Sequence, residues 1–222
     1  MQMIWFNPQK SARITRDLRK ILIKWRLAIE EYQKETGDLG YGWYYTEKSN
    51  FGFFLRACAE LGMHFLPEFT MERSGRRRRS GLGRPDCWIR MEEGIEAYFE
   101  VKKAYNSIDG KSKNTVFRAL RSAENQLKSL KYLEASSYRV ALCFITFGRK
   151  TESNRKTLPY EKALSKYLKK LQKSGEIDFY SAYLSNEDSI KKAYGKNRKD
   201  FGDDYSYPAL VVIGKYWQGQ TV

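Results

Sequence analysis

The sequence predicts an α/β protein, a mixed β-sheet flanked by helices and preceded by a basic amphipathic helix. Three observations carry that expectation. Apolar residues recur at helical spacing in four separate segments. Between them lie short runs rich in β-branched and aromatic residues, bounded by Gly, Pro and Asp turn signals. One run, Tyr138 to Phe147, is apolar almost without interruption, as expected of a strand buried on both faces.

The elements follow in chain order. From about Ser11 to Glu35, Ile14, Leu18, Ile21, Leu22, Trp25, Ile29 and Tyr32 form one helical stripe, with Arg13, Arg16, Arg19, Lys20, Lys24 and Arg26 largely off it. Those charges read as a solvated face, with phosphate contact as a secondary role. The segment from Gly37 to Gly42 breaks the helix. A second helix is expected from Thr46 to Leu61, burying Phe51, Phe54, Leu55, Cys58 and Leu61, with Glu47 one turn before Phe51 on the inward side. A strand is expected from His64 to Glu72, with Pro67 marking a bulge or an edge. The run Arg73 to Arg84 holds four consecutive arginines, Arg76, Arg77, Arg78 and Arg79, between glycines, and reads as a loop. A helix from Thr115 to Ala135 places Ala119, Leu120, Ala123, Leu127, Leu130 and Leu133 on one face, with Gln126 beside them. After the 138–147 strand come a helix through Tyr160 to Leu171, a strand from Ile177 to Leu184, a polar loop from Gly195 to Tyr207 and a last buried strand from Ala209 to Gly214.

Composition narrows the function classes. At 222 residues the chain suffices for one domain with a sizeable core. Lys and Arg total 41 against 26 Asp and Glu, a net charge of +15. Such an excess fits a polyanionic partner, DNA above all. No apolar run approaches the roughly 18 residues of a membrane helix, and no signal-peptide pattern opens the chain. Cys58, Cys87 and Cys143 sit in apolar surroundings with no CxxC pair, as in a reduced, cytoplasmic protein. The single histidine, His64, excludes chemistries that need two or more imidazoles.

The chemistry concentrates between Pro85 and Lys102. Glu92-Glu93-Gly94 separates two strand-like runs, and a three-residue loop with Gly94 left-handed, built on a type I turn, pairs Met91 with Ile95. That register sets Asp86 opposite Glu100 on one face of the sheet. Alternation puts Lys102 on the same face and sends Ala97, Phe99 and Val101 into a core. Two opposed carboxylates repel one another, and a divalent cation held by carboxylate oxygens relieves the repulsion. An ordinary hairpin with a charged solvated face is the plainer reading.

Pro85-Asp86, thirteen residues, then Glu100-Val101-Lys102 resembles the signature of the PD-(D/E)XK nuclease superfamily. The resemblance implies a restriction-endonuclease-like fold covering about Tyr44 to Phe147, with the C-terminal third extending the sheet. It divides the chain into an N-terminal helical extension, 1–40, and a nuclease-like domain, 41–222. It implies Mg²⁺, for which Mn²⁺ substitutes, held by Asp86, Glu100 and the Val101 carbonyl, with Lys102 as the catalytic cation. A glutamate of the first core helix often joins such a site; Glu47 matches that role or is simply a first-turn carboxylate favoured by the helix dipole. Some relatives place a helix glutamine near the metal, and Gln126 matches it without the usual tyrosine four residues on, since that position is Leu130. Arg76 to Arg79, Arg84 and Lys103 would grip phosphate. The function implied is hydrolysis of DNA phosphodiesters by an endonuclease of restriction, resolvase or mobile-element type, in a form that can be a homodimer. A catalytically silent nucleic-acid-binding protein and an RNA nuclease are the alternatives.

Replacing Arg76 to Arg79 with serine should weaken binding to all sequences alike. It should also flatten the salt dependence of affinity, by about 0.9 in log–log slope for every phosphate of duplex DNA that the loop neutralises. A binding titration across salt concentrations checks it, and an unchanged slope would show that the loop never meets the backbone.

Overall fold

A computed structural model of the chain describes residues 4–10, 12–36, 46–73, 81–107, 114–131, 133–150, 159–185 and 205–218. In order these carry β1 (Ile4–Phe6), α1 (Arg13–Thr36), α2 (Glu47–Glu60), β2 (His64–Pro67), β3 (Met71–Arg73), β4 (Gly81–Gly83) and β5 (Cys87–Arg90). There follow β6 (Glu96–Ser107), α3 (Asn114–Lys128), β7 (Tyr138–Lys150), α4 (Tyr160–Gln172), β8 (Phe179–Leu184) and β9 (Tyr205–Gln218). Among the described residues the main sheet has seven strands in the order β1-β8-β9-β7-β6-β5-β2. β6 and β7 run parallel, and the other neighbours are antiparallel. A parallel pair needs a crossover, and α3 supplies it. The molecule is therefore a mixed α/β sheet with helices on its faces, as the sequence predicts.

Two cores sit on opposite faces of the sheet. On one, the expected α1 stripe of Ile14, Leu18, Ile21, Leu22, Trp25 and Ile29 is fully buried together with Phe54 of α2 and Phe99, Val101, Val140 and Leu142 of the sheet. The N-terminal helix thus shares one core with the strands. On the other face, Val116, Leu120, Ala123 and Leu127 of α3 and Leu164, Leu168 and Leu171 of α4 cover Ala104, Cys143, Ile145 and Val211. β7 contributes to both cores by alternation, which explains its unbroken apolar run.

Several boundaries differ from expectation: β4 lies inside the run 73–84 expected as a loop, β6 and β7 run on to Ser107 and Lys150, and four further differences have local reasons. The strand expected over 64–72 divides: β2 pairs with β5 at the sheet edge, while β3 pairs with β4 in a separate two-stranded ladder. Pro67 brings no N–H, and Glu68 takes a positive φ of 47°, so the chain turns away there. The helix expected to Ala135 ends at Lys128, where the Ser129 hydroxyl donates to the Gln126 carbonyl at 2.7 Å and competes for a helical acceptor. β9 extends beyond 209–214 on both sides, taking in the end of the expected polar loop by pairing with β7 across a bulge between Phe147 and Arg149. β1 is an addition to the expected elements, too short to leave a periodic signal. It is held by its ladder to β8 and by stacking of Phe6 on Phe179 and Trp5 on Tyr180.

Gly214 of β9 lies opposite Phe179, and a Cβ there would run into the Phe179 ring. That ring is itself sandwiched by Phe6 and Tyr216. Gly214→Ala should therefore destabilise the fold by about 1–3 kcal/mol, the usual cost of overpacking. Denaturant melts of the single variant and of Gly214→Ala with Phe179→Leu test this, because trimming the ring should return part of the loss.

Candidate functional site

The β5–β6 hairpin takes the register read from the sequence. Arg90 pairs with Glu96, Ile89 with Ala97, Trp88 with Tyr98 and Cys87 with Phe99. Continuing the same ladder by one step sets Asp86 against Glu100. The turn that fixes this register is not the expected type I. Glu93 and Gly94 both have positive φ, 56° and 72°, and the Ile95 N–H donates to the Glu92 carbonyl at 3.2 Å. Two successive left-handed residues make a turn of the primed class, whose twist matches that of the flanking strands. Ala97, Phe99 and Val101 enter the core as expected.

β5 leaves its partner at Cys87 while β6 continues to Ser107. Beyond that point no described strand pairs with this edge of β6, and buried backbone groups must be satisfied another way. Side chains do it. Asp86 Oδ2 accepts from the Val101 N–H at 2.6 Å. Glu47 accepts from the Lys103 N–H, two residues further along the same edge. Each carboxylate is itself held in place. The Asp86 N–H donates to the Phe99 carbonyl at 3.0 Å, and the Asp86 carbonyl accepts from Glu68 N–H at 3.1 Å. Glu47 opens α2 immediately after the N-cap Thr46, whose hydroxyl accepts from Ser49 N–H at 2.9 Å. Glu47 is thus a first-turn carboxylate at the helix dipole that also caps a free edge of β6.

Glu100 is buried, with only 3% of its surface exposed. Lys102 Nζ donates to Glu100 Oε1 at 2.8 Å and to the Val101 carbonyl at 2.9 Å. The repulsion expected between Asp86 and Glu100 is therefore offset by the chain itself, through a backbone N–H at one carboxylate and an ammonium at the other. The donors Asp86, Glu100 and the Val101 carbonyl are all hard oxygens, the type that suits Mg²⁺. An ammonium already sits on two of these oxygens, Glu100 Oε1 and the Val101 carbonyl, so the position attracts a cation. Among the described residues no three or more His, Cys, Asp and Glu side chains gather into a metal-holding group. The donor set fits a divalent ion in type, with two carboxylates and a carbonyl in place of a closed cage.

The local field is uneven. Burial raises the Glu47 carboxyl above its ordinary value, with the Asp86 charge adding to the rise and Lys102 and Lys103 opposing it. Burial lowers the Lys103 ammonium to about 8, with Glu47 partly restoring it. Cys143, the β7 neighbour of Lys102, is pushed up to about 12 by burial and lies within the fields of Glu47 and Lys102. It forms an uncharged floor, a role that nothing in the sequence signals beyond the apolar run around it.

Other expected site residues fall elsewhere. Gln126 lines an outer groove of α3 with Ser122, Asn125 and Ser129, away from the buried face of Leu120, Ala123 and Leu127. Ala119, from which its position is counted, lies only at the margin of the core. Arg84 is exposed just before Pro85, and Arg76 to Arg79 lie outside the described residues. On α1, four basic residues have carboxylate partners: Arg16 with Glu93 and Lys20 with Glu92 in the hairpin turn, Lys24 with Glu60, and Arg26 with Glu30. Among the described residues, no helix is long and apolar enough to cross a membrane.

No family model matches the chain, and no curated protein matches it. The crystal structure of SSO0001 aligns with it at 14% identity over 68% of this chain and 72% of that one. Its TM-score is 0.22, too low to carry any inference about fold or function.

The raised Glu47 carboxyl gives a pH test of this geometry. The folded state binds the Glu47 proton more tightly than the unfolded chain does. The resulting stabilisation is complete below the unfolded carboxylate range, about pH 4, and is lost as pH rises through the higher folded value. Glu47→Gln keeps an acceptor for the Lys103 N–H and carries no charge. It should melt at a higher temperature than the parent at pH 7.5 in EDTA, with the gap closing toward pH 4. Thermal melts at both pH values check it, and an equal gap at both would place Glu47 outside the field of Asp86 and its own burial.

Proposed function

We propose that this chain is a Mg²⁺-dependent nuclease of the PD-(D/E)XK type that hydrolyses DNA phosphodiesters, acting as an endonuclease on a restriction-endonuclease-like sheet. The observation that supports the reading is that Asp86 and Glu47 accept from successive N–H groups on one edge of β6, while Lys102 bridges Glu100 and the Val101 carbonyl on the same strand. The net charge of +15 supports a polyanionic substrate. The mixed sheet, with a parallel β6–β7 pair bridged by α3, is compatible with that fold.

Asp86, Glu100 and the Val101 carbonyl would hold the divalent ion. When bound, it would neutralise charge at the scissile phosphate and acidify a water for attack. The chain's own groups do the rest. The Val101 N–H fixes the Asp86 carboxylate, so the acid is oriented before any substrate arrives. Lys102, whose side chain is 24% exposed against 4% for Glu100, is the more solvent-facing of the two and would meet the phosphate. There it would orient the attacking water or stabilise charge developing on the phosphorus oxygens. The neutral floor of Cys143 and the half-buried Glu47 keep the surroundings poor in water, which strengthens each of these interactions.

A second reading has one observation behind it. Lys102 already satisfies Glu100 and the Val101 carbonyl, so the chain can balance these charges without metal. A silent nucleic-acid-binding protein on the same scaffold would look the same. Incubation with plasmid, linear duplex, branched and single-stranded DNA, and with RNA, in Mg²⁺, Mn²⁺ or EDTA, separates the readings. Asp86→Asn, Glu100→Gln and Lys102→Ala should each slow cleavage by about 10²-fold or more, while DNA affinity in EDTA stays nearly unchanged. A parent that cleaves none of these substrates would be the silent binder, and a fully active Lys102→Ala would move the chemistry elsewhere.

A further inference from the structure

Basic residues are disposed differently on α1 and α4, and the difference points to a second surface. Four of those on α1 meet carboxylates. Along α4, Lys162, Lys166, Lys169 and the C-cap Lys173 are all exposed and recur at intervals of four, three and four residues, so they line one outer face from end to end. The helix carries a single carboxylate, Glu161, and it sits in the first turn. Like charges at this spacing destabilise a helix. The helix dipole compensates the lysines of the last turn and not Lys162 or Lys166, which lie toward its positive end.

A second basic surface lies on α3, beside the turn that follows α4. The turn after α4 is tied to α3 by Arg121 and Glu176 at 2.8 Å, three residues past Lys173. Arg118 and Arg121 line a groove on α3 whose described lining holds no acidic residue. α3 and α4 cover the face of the sheet that holds Ala104 of β6, and alternation puts Glu100 and Lys102 on that same face. α3 lies between β6 and β7 in the chain and packs on both strands.

We infer that this strip, from Arg118 along the α4 lysines, is a track for the sugar-phosphate backbone of duplex DNA running away from the candidate site. The α4 row spans about 16 Å at 1.5 Å per residue, enough to follow several successive phosphates of one strand. An anionic membrane is the competing partner for a basic helix face, and the structure argues against it. Membrane-surface helices bury an apolar face in the lipid, whereas Ala163, Leu164, Tyr167, Leu168 and Leu171 are all taken up by the protein core. Such a track is the substrate path of the nuclease reading and rests on that reading for its direction, while its test measures binding alone.

The experiment uses the whole chain with Lys162, Lys166, Lys169 and Lys173 all changed to Gln. Affinity for a long labelled duplex is followed across salt in EDTA, beside a duplex too short to reach from the site to α4. The variant should show a log–log salt slope shallower by about 0.9 for each lysine that meets a phosphate, up to between about 3 and 4 in total on the long duplex, and little change on the short one. Asp86→Asn should keep the parent slope. A parent-like slope in the quadruple variant overturns the track, whatever Asp86→Asn does to cleavage, so the two readings fail separately. Loss of co-sedimentation with phosphatidylserine vesicles alongside an unchanged DNA slope overturns it in favour of a membrane. If the quadruple variant does not fold, Arg118→Gln with Lys173→Gln, removing one charge from each helix, should lower the slope by about 2 by the same rule, and an unchanged slope overturns the proposal.

Discussion

The site depends on one mismatch in strand length: β5 stops at Cys87 and β6 does not. Every unpaired group on the continuing edge must find a partner, and an unsatisfied buried N–H or C=O costs about 1–3 kcal/mol. The chain fills consecutive places with Asp86, Glu47 and the ammonium of Lys102. Polar residues that would be a liability inside a complete sheet are here its substitute for a missing strand. The same arrangement sets carboxylates and an ammonium along one stretch of β6. Structural need and chemical opportunity therefore coincide at Val101 and Lys103.

The surroundings keep that edge in place. The Asp86 backbone is bonded on both sides, through Phe99 and Glu68, so its side chain has little freedom to move away. α2 is fixed by its cap at Thr46 and by Phe54, which packs against Phe99. The Lys20–Glu92 and Arg16–Glu93 pairs join α1 to the hairpin turn. Exposed pairs of this kind contribute little individually, and the buried α1 stripe does most of the anchoring. Removing solvent from Glu47 and Lys103 disfavours the charged form of each, raising the Glu47 carboxyl and lowering the Lys103 ammonium to about 8.

How much of this is legible in the sequence follows from the range of the forces involved. The hairpin register is legible because period-2 alternation and a glycine turn fix it locally. It survives a wrong turn type because the loop length, three residues, is right. The α1 and α2 stripes and the β7 run are legible for the same reason. Glu47 is half legible: its place in the first turn is clear, while its reach to the Lys103 N–H depends on how α2 lies over β6. Gln126 misleads because a helix face is counted from Ala119, a marginal position, and an error of one residue turns a side chain by about 100°. The division of the 64–72 run at Pro67 needs Glu68's left-handed backbone, which no residue type there announces. The charge partners of α1 come largely from distant segments, and no local pattern records them.

β1 has three residues, yet it decides what the flank of the sheet offers to other molecules. It covers the outer edge of β8, a strand buried almost throughout, and is pinned by the Asn7 N–H to the Asp178 carbonyl at 2.7 Å and by Lys10 to Asp178 at 2.8 Å. A short strand held at its end by a salt bridge is a small lid on an aggregation-prone border. If it peeled away, β8 would present a row of apolar residues and unbonded amides able to accept a strand from another molecule. Solution behaviour of preparations trimmed or tagged at the N-terminus would then reflect the loss of this cover, with self-association arising at the opposite side of the sheet from β5 and β6.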